Sequence, residues 1–299
     1  MGRSTRCQVH LVAAFLVCCI ALTPSHSRAA FYAIAHASGG DAPDSASGFN
    51  TASAHSQGTH GNPGDHDTSN ARADARAFLG SLHVDASGSG GGYGGGSASA
   101  DASFADEIVF DVPAFNGQLA YFYPRFYVRG AVVATVGGIY PGDSNASIAV
   151  TILGQSTANG GFNGSATLSA SVENDHGTIS YSGANFPNSV ELFMPFIVGE
   201  PLTLGAYAIA TAGGSGSGAS GSFGMGMASF ADTVHWGGVA QIFLEDGTPI
   251  TDFQLTSESG TDYRPSFESV PEPATAFLFV LGLSSLLSRS PRTRDRLAR

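Results

Sequence analysis

The chain has 299 residues, enough for one or two domains; only 12% are charged, and its thirteen basic residues are all arginine. Forty glycines, with abundant Ala, Ser and Thr, favour β-structure and turns over helices. Residues 30–270 hold 22 acidic side chains against five arginines, a net charge of −17, which excludes a nucleic-acid-binding body because no basic cluster is present to neutralise phosphates.

Residues 1–29 are predicted to be a secretory signal peptide. Arg3 and Arg6 precede an apolar stretch at residues 11–22, and Ser27-Arg28-Ala29 offers a small-x-small cleavage site. Twelve apolar residues span only ~18 Å as a helix, against a ~30 Å hydrocarbon core, which argues against a permanent anchor. All three cysteines of the chain lie in this segment, so the exported protein is expected to contain no disulfide.

Residues 30–101 are expected to form a disordered arm rich in Gly, Ser, Ala, His and Asp. Large apolar residues are few and isolated there, so little surface is available to offset the entropy of ordering. The glycine tract Gly88–Gly96 is typical of a flexible linker. Imidazoles and carboxylates in this arm match no defined metal motif, and a solvated polar segment is the favoured interpretation of four of them: His55, His60, His66 and Asp67.

Residues 102–268 have the pattern of an all-β domain. Eight to ten short segments rich in β-branched and aromatic residues follow one another, each bounded by Gly, Pro, Asn or Asp. In residues 165–172, Ala, Leu and Val alternate with Ser and Thr, as in a half-buried antiparallel strand. Asp246-Gly247 signals a hairpin. The predicted fold is an antiparallel β-sandwich or jelly roll.

An aromatic cluster in this domain suggests a binding surface. Five aromatic rings occur around Pro124, and outward-facing ones would be able to stack on sugar rings as in carbohydrate-binding modules. Alternation sends half of the rings inward, so a core role for most of them is the competing interpretation. The candidate sugar-stacking side chains are Tyr121, Tyr123 and Tyr127.

Other motifs give no sign of catalysis, and no catalytic residue, metal or cofactor is predicted. The formal dinucleotide match Gly216-x-Gly218-x-x-Gly221 lies in a Gly/Ser-rich stretch without a following helix, and favours a loop. Asp143-Ser144-Asn145 is typical of a turn, with calcium as a lesser alternative. The carboxylates of Asp106-Glu107 and Glu245-Asp246 are adjacent, and in a strand would point to opposite faces.

The C-terminus combines three ordered features. Pro271-Glu272-Pro273 precedes the apolar segment Ala274–Leu287, which as a helix would be ~21 Å long and marginal for crossing a bilayer. Basic residues follow at once, as in a stop signal under the positive-inside rule: Arg289, Arg292, Arg294, Arg296 and Arg299. The two prolines keep the motif extended and remove two backbone donors, a shape open to proteases.

The stretch "VPEPATAFLFVLGLSSLLSRSPRTR" resembles the PEP-CTERM sorting signal, here residues 270–299. The resemblance implies an exported protein of a Gram-negative bacterium that makes exopolysaccharide. It implies transient anchoring in the inner membrane, and cleavage near Pro271-Glu272-Pro273 by a membrane-embedded exosortase, which releases the body to the cell surface or matrix.

The expected function is therefore that of a noncatalytic cell-surface or exopolysaccharide-matrix protein. The alternative is a carbohydrate-binding module for the host polysaccharide, and a secreted hydrolase has only the expected location in its favour.

Overall fold

The computed structural model describes residues 29–39, 43–49, 51–60, 67–138, 141–218, 222–230 and 234–267. These residues form seventeen strands and one 3-10 turn, Ala158–Gly160. Within them, no helix has the length and apolar character needed to cross a membrane. The predicted signal peptide (except Ala29), the sorting motif, the apolar segment Ala274–Leu287 and its arginines lie outside the described residues.

The strands form two antiparallel sheets. Sheet A has the order β11-β10-β9-β14-β6-β1-β2, with β17 also paired to β6. Its strands are β1 (Ala30–Gly39), β2 (Asp44–Gly48), β6 (Gly95–Asp111), β9 (Asp143–Ser156), β10 (Phe162–Asp175), β11 (Thr178–Gly183), β14 (Pro201–Ser215) and β17 (Gln254–Ser257).

Sheet B packs against the inner face of sheet A. Its main path is β12-β7-β16-β5-β15-β8; β4 joins the other edge of β5, β3 pairs with β4, and β13 pairs with β7. Its strands are β3 (Thr51–His60), β4 (Asp67–Phe78), β5 (Ser81–Gly91), β7 (Leu119–Val128), β8 (Ala131–Gly137), β12 (Asn188–Glu191), β13 (Met194–Ile197), β15 (Phe223–Ser229) and β16 (Val234–Leu244). The all-β antiparallel prediction is confirmed.

The prediction that residues 30–101 are disordered is wrong. Strands β1 to β5 and the first part of β6 lie in this range, and β1 and β6 pair along ten residues. The predicted linker Gly88–Gly96 is instead the end of β5, a turn at Gly92 and Tyr93, and the start of β6. The alternation of small apolar and polar residues explains why this segment forms strands. Its alanines point inward, and its Ser, Asp, His or Arg side chains point outward.

The core is wedge-shaped, and β6 shows the taper along one strand. Its inward side chains increase in size from Gly96 through three alanines to Phe104, and then to Ile108 and Phe110, with the buried carboxyl of Asp106 between Phe104 and Ile108. On the paired strand β14 the order is reversed, from Leu202 to alanines and finally glycine. Large rings fill the wide end of the wedge: Phe110, Phe122, Phe126, Phe196, Trp236 and Tyr263.

At the thin end the backbones of the two sheets touch. A Cβ placed on Gly96 would lie 2.1 Å from the Asn70 carbonyl oxygen of β4 and 2.7 Å from that of Ser89. On the facing strand β5, a Cβ on Gly88 would lie 2.4 Å from the Gly96 oxygen. Sheets normally stack ~10 Å apart, and only glycine allows this closer approach.

Several finer predictions for residues 102–268 are confirmed. In β10, Ala170 and Val172 are buried while Thr167, Ser169 and Ser171 face outward. A turn lies at Asp246-Gly247, where Gly247 has φ of 86° and donates to the Leu244 carbonyl at 3.0 Å. Asp106 is buried and its neighbour Glu107 lies on the other face of β6.

Replacing Gly96 with alanine is expected to destabilise the protein by about 1–3 kcal/mol, because the methyl group would overlap backbone atoms of sheet B. Urea unfolding followed by the fluorescence of Trp236, which is fully buried, measures the change. Gly95→Ala is the matched control, since its Cβ would meet its nearest neighbour at 3.5 Å. Equal stability of the two variants would contradict the close approach of the sheets.

Candidate functional site

An aromatic strip lies on the outer face of sheet B. It consists of Tyr121 and Tyr123 on β7, Phe193 between β12 and β13, and Phe243 on β16. The ring of Tyr121 stacks on that of Phe193 with centroids 4.9 Å apart and an interplanar angle of 13°, and on Phe243 at 5.6 Å. Tyr123 contacts both phenylalanines, at 5.4 Å and 6.0 Å. The four rings form one continuous surface, and the Phe193 side chain is 46% exposed.

Pro124 explains why the strip forms at this place. A proline has no N–H to donate, so the strands beside it depart from regular pairing. On one side β12 ends and β13 begins opposite Pro124, which leaves Phe193 between them and on the outer face. On the other side β16 shifts register before and after Val239, and this brings Phe243 opposite Tyr121.

A polar group adjoins the strip further along β7. Arg125 Nε lies 2.5 Å from Glu191 Oε1 on the neighbouring strand β12. The Arg125 guanidinium donates hydrogen bonds to the Tyr127 hydroxyl oxygen and to the Glu191 carboxylate, and these raise the pKa of Arg125 above its usual value, so the side chain stays charged. Tyr127 packs on His235 of β16 with centroids 5.5 Å apart. The outer face of β7 therefore presents Tyr, Tyr, Arg and Tyr, at alternate positions roughly 7 Å apart.

The structure places all three predicted sugar-stacking tyrosines on this face. Tyr121 and Tyr123 are half-buried, Tyr127 is exposed, and Phe122 and Phe126 of the same cluster are buried in the core, as alternation predicts. Sequence reasoning missed Phe193 and Phe243. Both come from segments far along the chain, and no local pattern reports that pairing brings them to β7.

The imidazoles and carboxylates of residues 55–67 do not converge in the described residues. Asp67 Oδ1 accepts a hydrogen bond from the Tyr93 backbone N–H at 2.8 Å, so this carboxylate holds the β5–β6 turn. The exposed His55 ring lies 3.2 Å from Asn70 Oδ1 on the paired strand β4. The side chain of His60 and the whole of His66 lie outside the described residues.

A different group brings metal-ligating atoms together at one end of sheet A. Asp143 and Asp175 are paired across β9 and β10, and His176 follows in the β10–β11 turn. His176 Nδ1 lies 3.0 Å from Asp143 Oδ1 and contacts Asp175. Asp143 opens β9 and is not in a turn, contrary to the sequence interpretation. All three side chains are exposed.

Asp101 on the outer face of β6 is a buried carboxyl. Burial raises its pKa above the ordinary value, and the effect outweighs hydrogen bonds from Tyr207 and Ser99. Glycosidases need a second carboxyl group within about 5–9.5 Å of the first. The residues paired with Asp101 on either side are Ile34 and Ile209, and the hydroxyl groups of Tyr207 and Ser99 donate to its carboxylate.

The stretch with the formal dinucleotide match, Gly216-x-Gly218-x-x-Gly221, connects β14 to β15. In the described part of the chain the element that follows it is a strand and not a helix, which agrees with the interpretation as a loop.

No protein-family model matches the chain, and searches of characterised proteins and of solved structures also returned no match.

The pKa of His176 is expected to lie above the ordinary histidine value, because the carboxylates of Asp175 and Asp143 favour the imidazolium. Titration of its ring protons by NMR measures this, and Asp143→Asn should lower the pKa. Since the pKa is raised in the folded state, the group adds stability below the unfolded-state pKa and loses it as pH rises through the folded-state value. An unchanged pKa in Asp143→Asn would contradict the assigned contact.

Proposed function

We propose that this is an exported, noncatalytic protein of the cell surface or exopolysaccharide matrix. The observation that carries the proposal is the C-terminal order of Pro271-Glu272-Pro273, a short apolar segment and an arginine-rich end, in a chain that begins with a signal-peptide pattern. An apolar segment of this length with basic residues behind it would hold the chain in the inner membrane and keep the motif just outside. An exosortase-type protease would then cut near the motif and release the body.

The body suits such a role. A two-sheet domain with short connections and a closely packed alanine and glycine core presents two broad outer faces, and its strongly negative charge favours solubility. Among the described residues, the partners of Asp101 in the neighbouring strands are Ile34 and Ile209, and the His176 group is exposed on a turn, so neither resembles a catalytic pair. We propose further that the domain is a jelly roll and that the apolar segment Ala274–Leu287 forms a short membrane helix.

The aromatic strip supports a second role, binding of the host polysaccharide. Sugar rings have apolar faces that stack on aromatic rings, while their hydroxyl groups bind charged and amide side chains. The strip offers four rings in one surface, and Arg125, Glu191 and Tyr127 beside them offer donors and acceptors for hydroxyl groups. The strip lies on the face of a sheet, so an extended polymer would be able to lie across it.

Changing Pro271-Glu272-Pro273 to three alanines is expected to block processing. Mass spectrometry of the protein from membrane and extracellular fractions should then find the intact C-terminus retained in the membrane fraction. The unaltered chain should be released without its arginine-rich end. A matched control places alanine at Ser266, Glu268 and Ser269, upstream of the motif. Release of the triple-alanine variant at the normal rate would contradict the sorting proposal.

Removing rings from the strip is expected to weaken polysaccharide binding. Affinity electrophoresis in gels with the host polysaccharide should show strong retardation of the unaltered protein and little for Tyr121→Ala combined with Phe193→Ala. If each stacked ring contributes about 1 kcal/mol, affinity falls about fivefold per ring. Tyr93→Ala, which removes a ring that is 80% exposed on a turn, is the control and should bind normally. Unretarded migration of the unaltered protein would exclude the binding role and leave the sorting proposal standing.

A further inference from the structure

Sheet B is one strand short beside β8. The strands β7 and β8 follow one another along the same line, β7 pairing with β16 and β8 with β15. The other edge of β7 is covered by β12 and β13, whereas in the described residues β8 pairs with β15 alone. Sheet A extends further on this side, through β10 to its edge strand β11. We call the space beside β8 and over β11 the open strand position.

The floor of the open strand position is apolar and exposed. Ile179 and Tyr181 of β11 pair with Asn174 and Val172 of β10, which are buried, so all four side chains point to the inner face. Yet Ile179 is 50% exposed and Tyr181 is 73% exposed. These are inner-face residues of a sandwich that the opposite sheet does not cover.

The two strands around the open position run in opposite directions. β8 begins beside Gly130, whose Cβ would lie 3.0 Å from Ile148, and its end leads within a few residues to Asp143. β11 begins at Thr178 near Asp143 and ends at Gly183 near Ile148, as the pairing through β10 shows. β8 and β11 are therefore antiparallel and span the same part of the sandwich.

A hydrogen bond fixes their relative level. Asn174 Nδ2 donates to the Ala134 carbonyl oxygen of β8 at 3.5 Å, and Asn174 pairs with Ile179. Ala134 thus lies at the height of Ile179, although the two residues belong to different sheets.

We infer that a second copy of this chain fills the open strand position, and that each copy fills it for the other. A two-fold axis parallel to the strands, midway between the sheets, exchanges the two layers. It places β11 of the second copy beside β8, antiparallel, with Ala134 opposite Ile179 of the second copy. Sheet B of one copy then continues into sheet A of the other, and Ile179 and Tyr181 of both copies meet across the joint and leave water.

Other pairings between copies fit less well. If β8 of one copy paired directly with β8 of the other, the two strands would lie only ~4.8 Å apart in the layer of sheet B. In the layer of sheet A, the β11 strands of both copies extend beyond β8, and this spacing leaves too little room for the two of them. β8 and β11 contain no charged residue, in a body of net charge −17, so the proposed joint avoids close approach of like charges along its length.

The chain after β11 leaves space for the partner strand. The Ala184 N–H donates to the Ser169 carbonyl at 2.8 Å, so the chain stays beside β10 for one residue after β11 ends. The Phe186 ring then packs on Phe230 with centroids 5.8 Å apart. The connection to β12 therefore runs into the core of its own copy and away from the joint.

Cysteine cross-linking tests the register directly. The joint places Val133 opposite Ser180 of the second copy, both on outer faces, within the distance that a disulfide needs. The full chain with serine at Cys7, Cys18 and Cys19, purified in detergent and oxidised, should form a covalent dimer when it carries Val133→Cys with Ser180→Cys. Each single cysteine variant is a control and should stay uncross-linked. Absence of a dimer from the double variant, or equal cross-linking of the single variants, would overturn the inference.

Sedimentation equilibrium of the same full chain tests the dimer without cysteines. The protein-only mass should rise with concentration towards twice 30.4 kDa. Ile179→Lys with Tyr181→Lys should keep the mass at one chain, because both side chains are exposed in the single copy and lysines would be buried in the joint. Phe78→Lys, on another exposed ring of sheet B, should dimerise normally. The inference would be refuted if the unaltered protein were monomeric, or if Phe78→Lys lost dimerisation to the same degree as the double lysine variant.

Discussion

The close approach of the two sheets is the constraint on which the rest of this structure depends. Side-chain volume falls towards one end of the paired strands β6 and β14 until glycines remain. At this thin end backbone meets backbone, and a Cβ on Gly226 of β15 would lie 2.0 Å from the Asn145 oxygen of β9. Small side chains bury little apolar surface each, so the contact is favourable only if many of them pack without gaps over long strands. The low charge and the high glycine and alanine content of the chain follow from this requirement.

The wedge also determines what the outer faces can do. Large rings such as Phe122, Phe126 and Trp236 lie at the wide end, on the paired strands β7 and β16. The same two strands carry Tyr121 and Phe243 on their outer face, so the aromatic strip is backed by large buried rings of the core. A surface meant to stack on flat rings needs such support, because loose side chains would lose entropy on binding.

The sequence predicts the period of the strands well and their pairing hardly at all. Alternation correctly separated Tyr121 and Tyr123 from Phe122, because side-chain direction in a strand is a local property. The error at residues 30–101 came from requiring large apolar residues. Ala71, Ala73 and Ala75 alternate as clearly as any strand, but alanine is weakly hydrophobic and is common in disordered chains too.

The missed members of the site have the same cause. Phe193 reaches the strip through a break opposite Pro124, and His176 meets Asp143 through the register of β9 and β10. Neither of these contacts is predictable from a short window of sequence, because each depends on how strands far apart in the chain pair. The open strand position is likewise invisible along the chain, since it arises from one sheet extending beyond the other.

Hydrogen exchange of the exported protein, followed by mass spectrometry, tests the central claim most directly. If alanine and glycine faces hold the sheets together, the backbone amides of residues 67–101 should be protected to a similar degree as those of β14, with which β6 pairs along fifteen residues. Exchange of residues 67–101 at the rate of an unfolded chain, beside a protected β14, would contradict the account.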